Sequence, residues 1–77
     1  MTPSPGRRNP RHPLTVGERI RKMREAKRLT QAELAQLVGV TVGQASRWER
    51  DEAEPKIANL RALKRALETT YEELIGD

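Results

Sequence analysis

The sequence predicts an all-α fold, a compact bundle of five short helices, and three observations carry that prediction. From Leu14 onward the apolar residues recur every three or four positions, the helical period, with no alternating stretch that reads as a strand. Threonine followed three residues later by glutamate recurs at Thr15/Glu18, Thr30/Glu33 and Thr70/Glu73, the spacing of a capping box that satisfies amide groups at a helix start. Gly39 and Pro55 fall between the periodic segments, where they stop one helix and open another. A chain of 77 residues without cysteine has no disulfide framework, so its stability has to come from helix packing around one small core.

The elements follow in order. Residues 1–13 hold four of the five prolines together with Arg7, Arg8 and Arg11, and no acid. Such a composition cannot bury a core and predicts a disordered basic arm, which leaves residues 14–77 as the folded domain. Thr15 caps a first helix that runs to about Lys27, with Val16, Ile20 and Met23 on the inward face and Arg19, Lys22 and Glu25 away from it. Thr30 caps a second helix that buries Leu34, Ala35 and Val38 and ends at Gly39. Thr41 caps a third, to about Arg50, whose inward face is Ala45 and Trp48. Pro55 opens a fourth, with Ile57, Leu60, Leu63 and Leu67 inside. Thr70 and Glu73 cap a last short helix bearing Leu74 and Ile75, which either complete the core or meet a partner.

Charge and composition narrow the function. The net charge is +4, and it is unevenly placed: residues 1–50 carry eleven Lys and Arg against four acids, residues 51–77 four against seven. A basic front and an acidic rear imply one face made for a polyanion. No apolar run approaches the roughly 20 residues that span a bilayer, and MTPSPGRRNPRHP lacks the apolar core of a signal peptide, so a cytoplasmic protein with no membrane association is expected. With no cysteine, a single histidine (His12) in the arm, and no glycine-rich phosphate loop, neither enzymatic activity nor a metal or other cofactor is expected.

The stretch LTQAELAQLVGVTVGQASRWERD, Leu29 to Asp51, sets two short amphipathic helices around Gly39, the helix-turn-helix spacing. At about 100° per residue, Val42, Gly43, Ser46, Arg47 and Arg50 share one side of the third helix, with Ala45 and Trp48 opposite. In this motif the N-terminal part of the second of the two helices enters the major groove of DNA. Arg47 can then donate two hydrogen bonds to guanine O6 and N7, and Val42 can touch a thymine methyl. Gly43 contributes no side chain, Gln44 lies on the flank, and Gln31 at the start of its helix is placed to meet a phosphate. Thr41 and Arg50 are candidates for further phosphate contacts at the two ends of the third helix. Thr30 and Thr41 are caps first, and Trp48, on the core side, packs rather than recognises.

From Val16 to Ile75 the chain resembles the phage-repressor and Cro-like helix-turn-helix family, often called the XRE family. The matching features are GERIRKMRE at the start, LTQAELAQLVGV in the second helix and turn, SRWER ending the third, Pro55 after the loop, and Leu67 with YEEL at the close. The resemblance implies a lambda-repressor-like fold and a sequence-specific transcriptional regulator, repressor-like, that binds double-stranded operator DNA, commonly as a homodimer. It also implies that Arg24 and Glu49 form a structural salt bridge between helices 1 and 3. The alternative is an antitoxin-type module of the same fold whose main partner is a toxin protein. Three departures from the family pattern stand out. The loop Asp51, Glu52, Ala53, Glu54 replaces a glycine and basic residues, Lys56 replaces a capping hydroxyl, and Lys64 stands at a small apolar position.

Overall fold

The computed structural model describes residues 14–76; the arm expected at residues 1–13 lies outside the described residues. Five helices follow one another: α1 (Val16–Ala26), α2 (Gln31–Val38), α3 (Val42–Glu49), α4 (Ile57–Leu67) and α5 (Tyr71–Ile75). Among the described residues there is no strand.

The starts are capped by chemistry visible in the sequence. Thr15 Oγ1 accepts from Glu18 N at 3.1 Å while Glu18 Oε1 accepts from Thr15 N at 3.0 Å. The same reciprocal box forms at Thr30 and Glu33. At α5 only half of it forms: Thr70 Oγ1 accepts from Glu73 N, but the Glu73 carboxylate takes the Thr69 hydroxyl instead. Gly39 ends α2 at φ 88°, ψ 32°, a left-handed conformation free of Cβ clash in glycine.

The core is made of Ile20, Leu34, Ala35, Ala45, Trp48, Leu63, Leu67 and Leu74, with at least one residue from every helix. Val16, Met23, Val38 and Leu60 pack on its margin. α3 packs against α1 and α2, and α4 and α5 close the bundle against α2 and α1. The α1–α3 contact is close because Gly17 has no side chain. A Cβ there would come within 2.3 Å of the Trp48 carbonyl oxygen and 2.8 Å of that of Glu49.

Two expectations, those for Ile57 and Arg19, need correction. Ile57 is 72% exposed rather than inside. At about 100° per residue it lies about 90° from the mean direction of Leu60, Leu63 and Leu67, at the edge of the apolar stripe. The fourth helix starts at Ile57, two residues after Pro55, because Lys56 adopts the extended N-cap conformation (φ −75°, ψ 167°), and it caps with no side-chain hydrogen bond. Ile75 is 39% exposed while its neighbour Leu74 is fully buried, so one of the pair completes the core. Arg19 does not stand clear of the inward face: it donates from Nε to Leu14 O and from Nη1 to Glu73 O (2.9 Å), tying α1 to α5.

Candidate nucleic-acid interface

The turn between α2 and α3 fixes the angle at which the third helix is presented. Gly39 N and Val40 N both donate to Ala35 O, at 2.8 and 2.9 Å, closing α2 and turning the chain. Thr41 then caps α3, its Oγ1 accepting from Gln44 N at 3.1 Å. The Thr41 hydroxyl oxygen therefore serves the helix itself, as the capping geometry requires.

Helix α3 has two distinct sides. Ala45 and Trp48 are 0% and 1% exposed and hold the helix to the core. On the other side Val42 is half exposed, Gly43 and Arg47 are exposed, and Gln44 and Ser46 are partly covered. Arg47 makes no side-chain hydrogen bond or ion pair among the described residues, so its guanidinium is available. Arg50, the C-cap residue, is exposed and engaged: Nη2 donates to Glu52 Oε1 at 3.1 Å, both side chains remaining more than half exposed (59% and 55%). A pair so open to water is weak and exchanges readily for another anion.

Behind this face lies a buried polar cluster. Glu49, 6% exposed, accepts from Arg24 Nε at 2.7 Å and Nη2 at 3.1 Å, a two-pronged guanidinium–carboxylate pair. It also accepts from Gln31 Nε2 at 3.1 Å, while Arg24 Nη1 donates to Leu29 O at 2.7 Å. The hydrogen bond that Arg24 donates to Glu49 holds the Arg24 pKa above its ordinary value against the opposing effect of burial. Gln31 is thus held from behind by its amide nitrogen. One of its two N–H donors is used, and the second, with the carbonyl oxygen, remains for a partner.

The acidic loop after α3 does unexpected work. Asp51 Oδ2 accepts from the Thr15 hydroxyl at 2.6 Å and Oδ1 from Gly17 N at 3.0 Å, so its carboxylate sits over the N-terminus of α1, where the helix dipole favours it. It reaches that place with φ 59°, the left-handed region that aspartate tolerates better than most residues. Sequence reasoning found neither this role nor that of Gly17. Both depend on contacts across more than thirty residues of chain, with no local spacing to announce them. No helix among the described residues is long and apolar enough to cross a membrane.

The geometry has counterparts. Residues 20–74 match the family model described as helix-turn-helix. The chain is 44% identical over 63 residues to repressor protein C2 of Salmonella phage P22, covering 80% of this chain and 29% of that protein. It is 42% identical over 55 residues to the transcriptional regulator DicA of Escherichia coli, covering 71% of this chain and 41% of DicA. It therefore spans less than half the length of either curated relative. Among solved structures, the P22 c2 repressor in complex with synthetic operator 9T superposes with a TM-score of 0.78 at 44% identity, covering 82% of this chain and 97% of that one. The restriction-modification controller protein C.AhdI of Aeromonas hydrophila gives 0.74 at 33% identity, covering 78% and 91%. With the family model covering most of the chain and both flanking helices in place, the chain belongs to the helix-turn-helix family of phage-repressor and Cro-like domains.

Proposed function

We propose that this chain is a sequence-specific DNA-binding module of a repressor-type transcriptional regulator, with α3 lying in the major groove. The observation that carries the reading is the division of α3: one side is sealed into the core, and the other presents an unengaged arginine between exposed small and apolar residues. Arg47 supplies the fork of donors that matches guanine O6 and N7, and Val42 supplies methyl groups for a thymine. Gln44 reaches a base or phosphate from the flank, and Ser46 leaves room beside Arg47. Phosphates are met by Gln31 at the N-terminus of α2, by the start of α3 at Thr41, and by Arg50 once it exchanges Glu52 for the backbone.

Binding also fits the remaining surface better than catalysis does. A cavity of about 300 Å³ between α1 and the loop after α3 is lined by Val16, Trp48, Leu60 and Ile75 together with Asp51 and Glu54. The Asp51 carboxylate is already occupied as an acceptor from Thr15 and Gly17. A helix of a few turns reads only a few base pairs, so two protomers bind together, with half-sites one helical turn apart, roughly 10 base pairs.

Selection from a random pool of DNA duplexes, with the wild-type chain and with Arg47→Ala, tests this reading. The wild type returns a repeated half-site containing a guanine. Arg47→Ala loses preference at that one position in each half-site, by about 1 to 3 kcal/mol, while still binding duplex DNA. An identical motif for both proteins refutes the role of Arg47, and no enrichment by the wild type refutes sequence-specific binding altogether.

A further inference from the structure

We infer that Gly43 is a specificity-determining residue, the edge of a base pair filling the space that a Cβ at this position would take. The inference rests on the DNA-binding reading above and adds to it a reason for the glycine. Glycine in a helix loses more backbone freedom on folding than any other residue, so it weakens a helix wherever the geometry does not demand it. The other glycines among the described residues meet such a demand. Gly17 is crowded by the Trp48 carbonyl, and Gly39 and Gly76 carry φ of 88° and 92°. Gly43 meets none. Its φ lies outside the left-handed region, and the nearest atom to an added Cβ would be Thr41 Oγ1 at 3.9 Å, an ordinary contact. The described residues leave room for alanine at 43 and make no demand for glycine there, which points to a partner seated against this turn.

The position says what makes it. Gly43 is the second residue of α3, exposed, with Val42 beside it and Ser46 and Arg47 one turn on along the same side. In the groove this first turn lies against the base edges. A Cβ projects about 1.5 Å from its Cα, enough to hold a helix off a surface that it would otherwise touch. Without it the backbone at Gly43 and the methyl groups of Val42 seat together, and the depth of that seating sets where the Arg47 guanidinium meets its guanine. The same crowding rejects a base pair that presents a bulkier edge opposite Gly43, so discrimination comes from shape at a residue with no side chain.

The test compares the wild-type chain with Gly43→Ala and Gly43→Ser in three measurements: Tm, affinity for the duplex selected by the wild type, and affinity for an unrelated duplex. The Tm of Gly43→Ala equals or exceeds that of the wild type, because alanine is the better helix former. Its affinity for the selected duplex falls about tenfold or more, the scale of one lost base contact, while affinity for the unrelated duplex stays within about twofold. Repeating the selection with Gly43→Ala then changes the preferred base at a position distinct from the one that Arg47 reads. Undiminished affinity with the same preferred sequence overturns the inference and leaves the DNA-binding reading standing. A fall in Tm also overturns it, by showing that the fold needs the glycine. No sequence selected by the wild type defeats both readings.

Discussion

Glu49 shows how much one buried residue can organise. It is the last residue of α3, and its carboxylate takes two hydrogen bonds from Arg24 in α1 and one from Gln31 in α2, so three helices meet on one anion. Burial makes the arrangement one-sided in its energetics. The pair is neutral as a unit, but removing one partner leaves the other desolvated and uncompensated, at a cost of about 3 to 5 kcal/mol for a fully buried pair. The Arg24 and Glu49 side chains are 11% and 2% exposed, close to that limit. In a domain this small such a loss approaches the whole stability. Arg24→Ala is therefore expected to lower Tm by many degrees or leave the chain largely unfolded, as circular dichroism during heating will show. An unchanged Tm with weakened DNA binding would instead make Arg24 a contact residue.

At the scale of elements, the caps and the apolar stripes were legible because both are local. A threonine and a glutamate three residues apart carry their own geometry, and so do Val16, Ile20 and Met23 on one helical face. What was not legible is what crosses between elements. The departures at Asp51 and Lys64 looked like defects in a family pattern. In the folded chain Asp51 caps α1 from the far side of α3, and the Lys64 ammonium lies 4.9 Å from the centre of the Tyr71 ring. Asp51 exchanges a local fit for a contact with a helix far back along the chain, and Lys64 for a cation–aromatic contact with the next helix. Ile57 was misplaced for a related reason, since periodicity gives a stripe but not which end of it the neighbouring helices cover. A second crossing joins the ends of α1 and α4, whose C-caps, Lys27 and Glu68, form an exposed ion pair. The hydrogen bond from Lys27, and then its charge, hold the Glu68 carboxyl below its usual range. A lowered folded-state pKa stabilises the fold above the unfolded-state value, and that contribution is lost as pH falls through the folded value. An NMR titration should find Glu68 titrating at lower pH than a free glutamate and returning to the ordinary range in Lys27→Ala. Identical titrations in the two proteins would remove the pair from solution.

At the scale of the molecule, the bundle holds α3 by one side only. α1 and α2 grip it through Trp48, Ala45 and Glu49, with α4 and α5 closing the bundle from α2 and α1, so its other side is left to a partner. The charge is arranged to match. The basic residues concentrate up to Arg50, and of the acids in the following loop Asp51 is turned to internal use and Glu52 is paired with Arg50, while Glu54 is exposed. A polyanion approaching α3 therefore meets Arg47 unengaged and Arg50 held only by an exposed, exchangeable pair. The central claim, that this face reads the major groove, is tested most directly by guanine N7 methylation of the selected duplex, with and without bound protein. N7 lies in the major groove, where the proposed Arg47 contact would cover it. The account predicts one guanine in each half-site protected by the wild-type chain and reactive again when Arg47→Ala is bound at saturating concentration. Full reactivity of every guanine under bound wild type, or protection that survives Arg47→Ala, would contradict it.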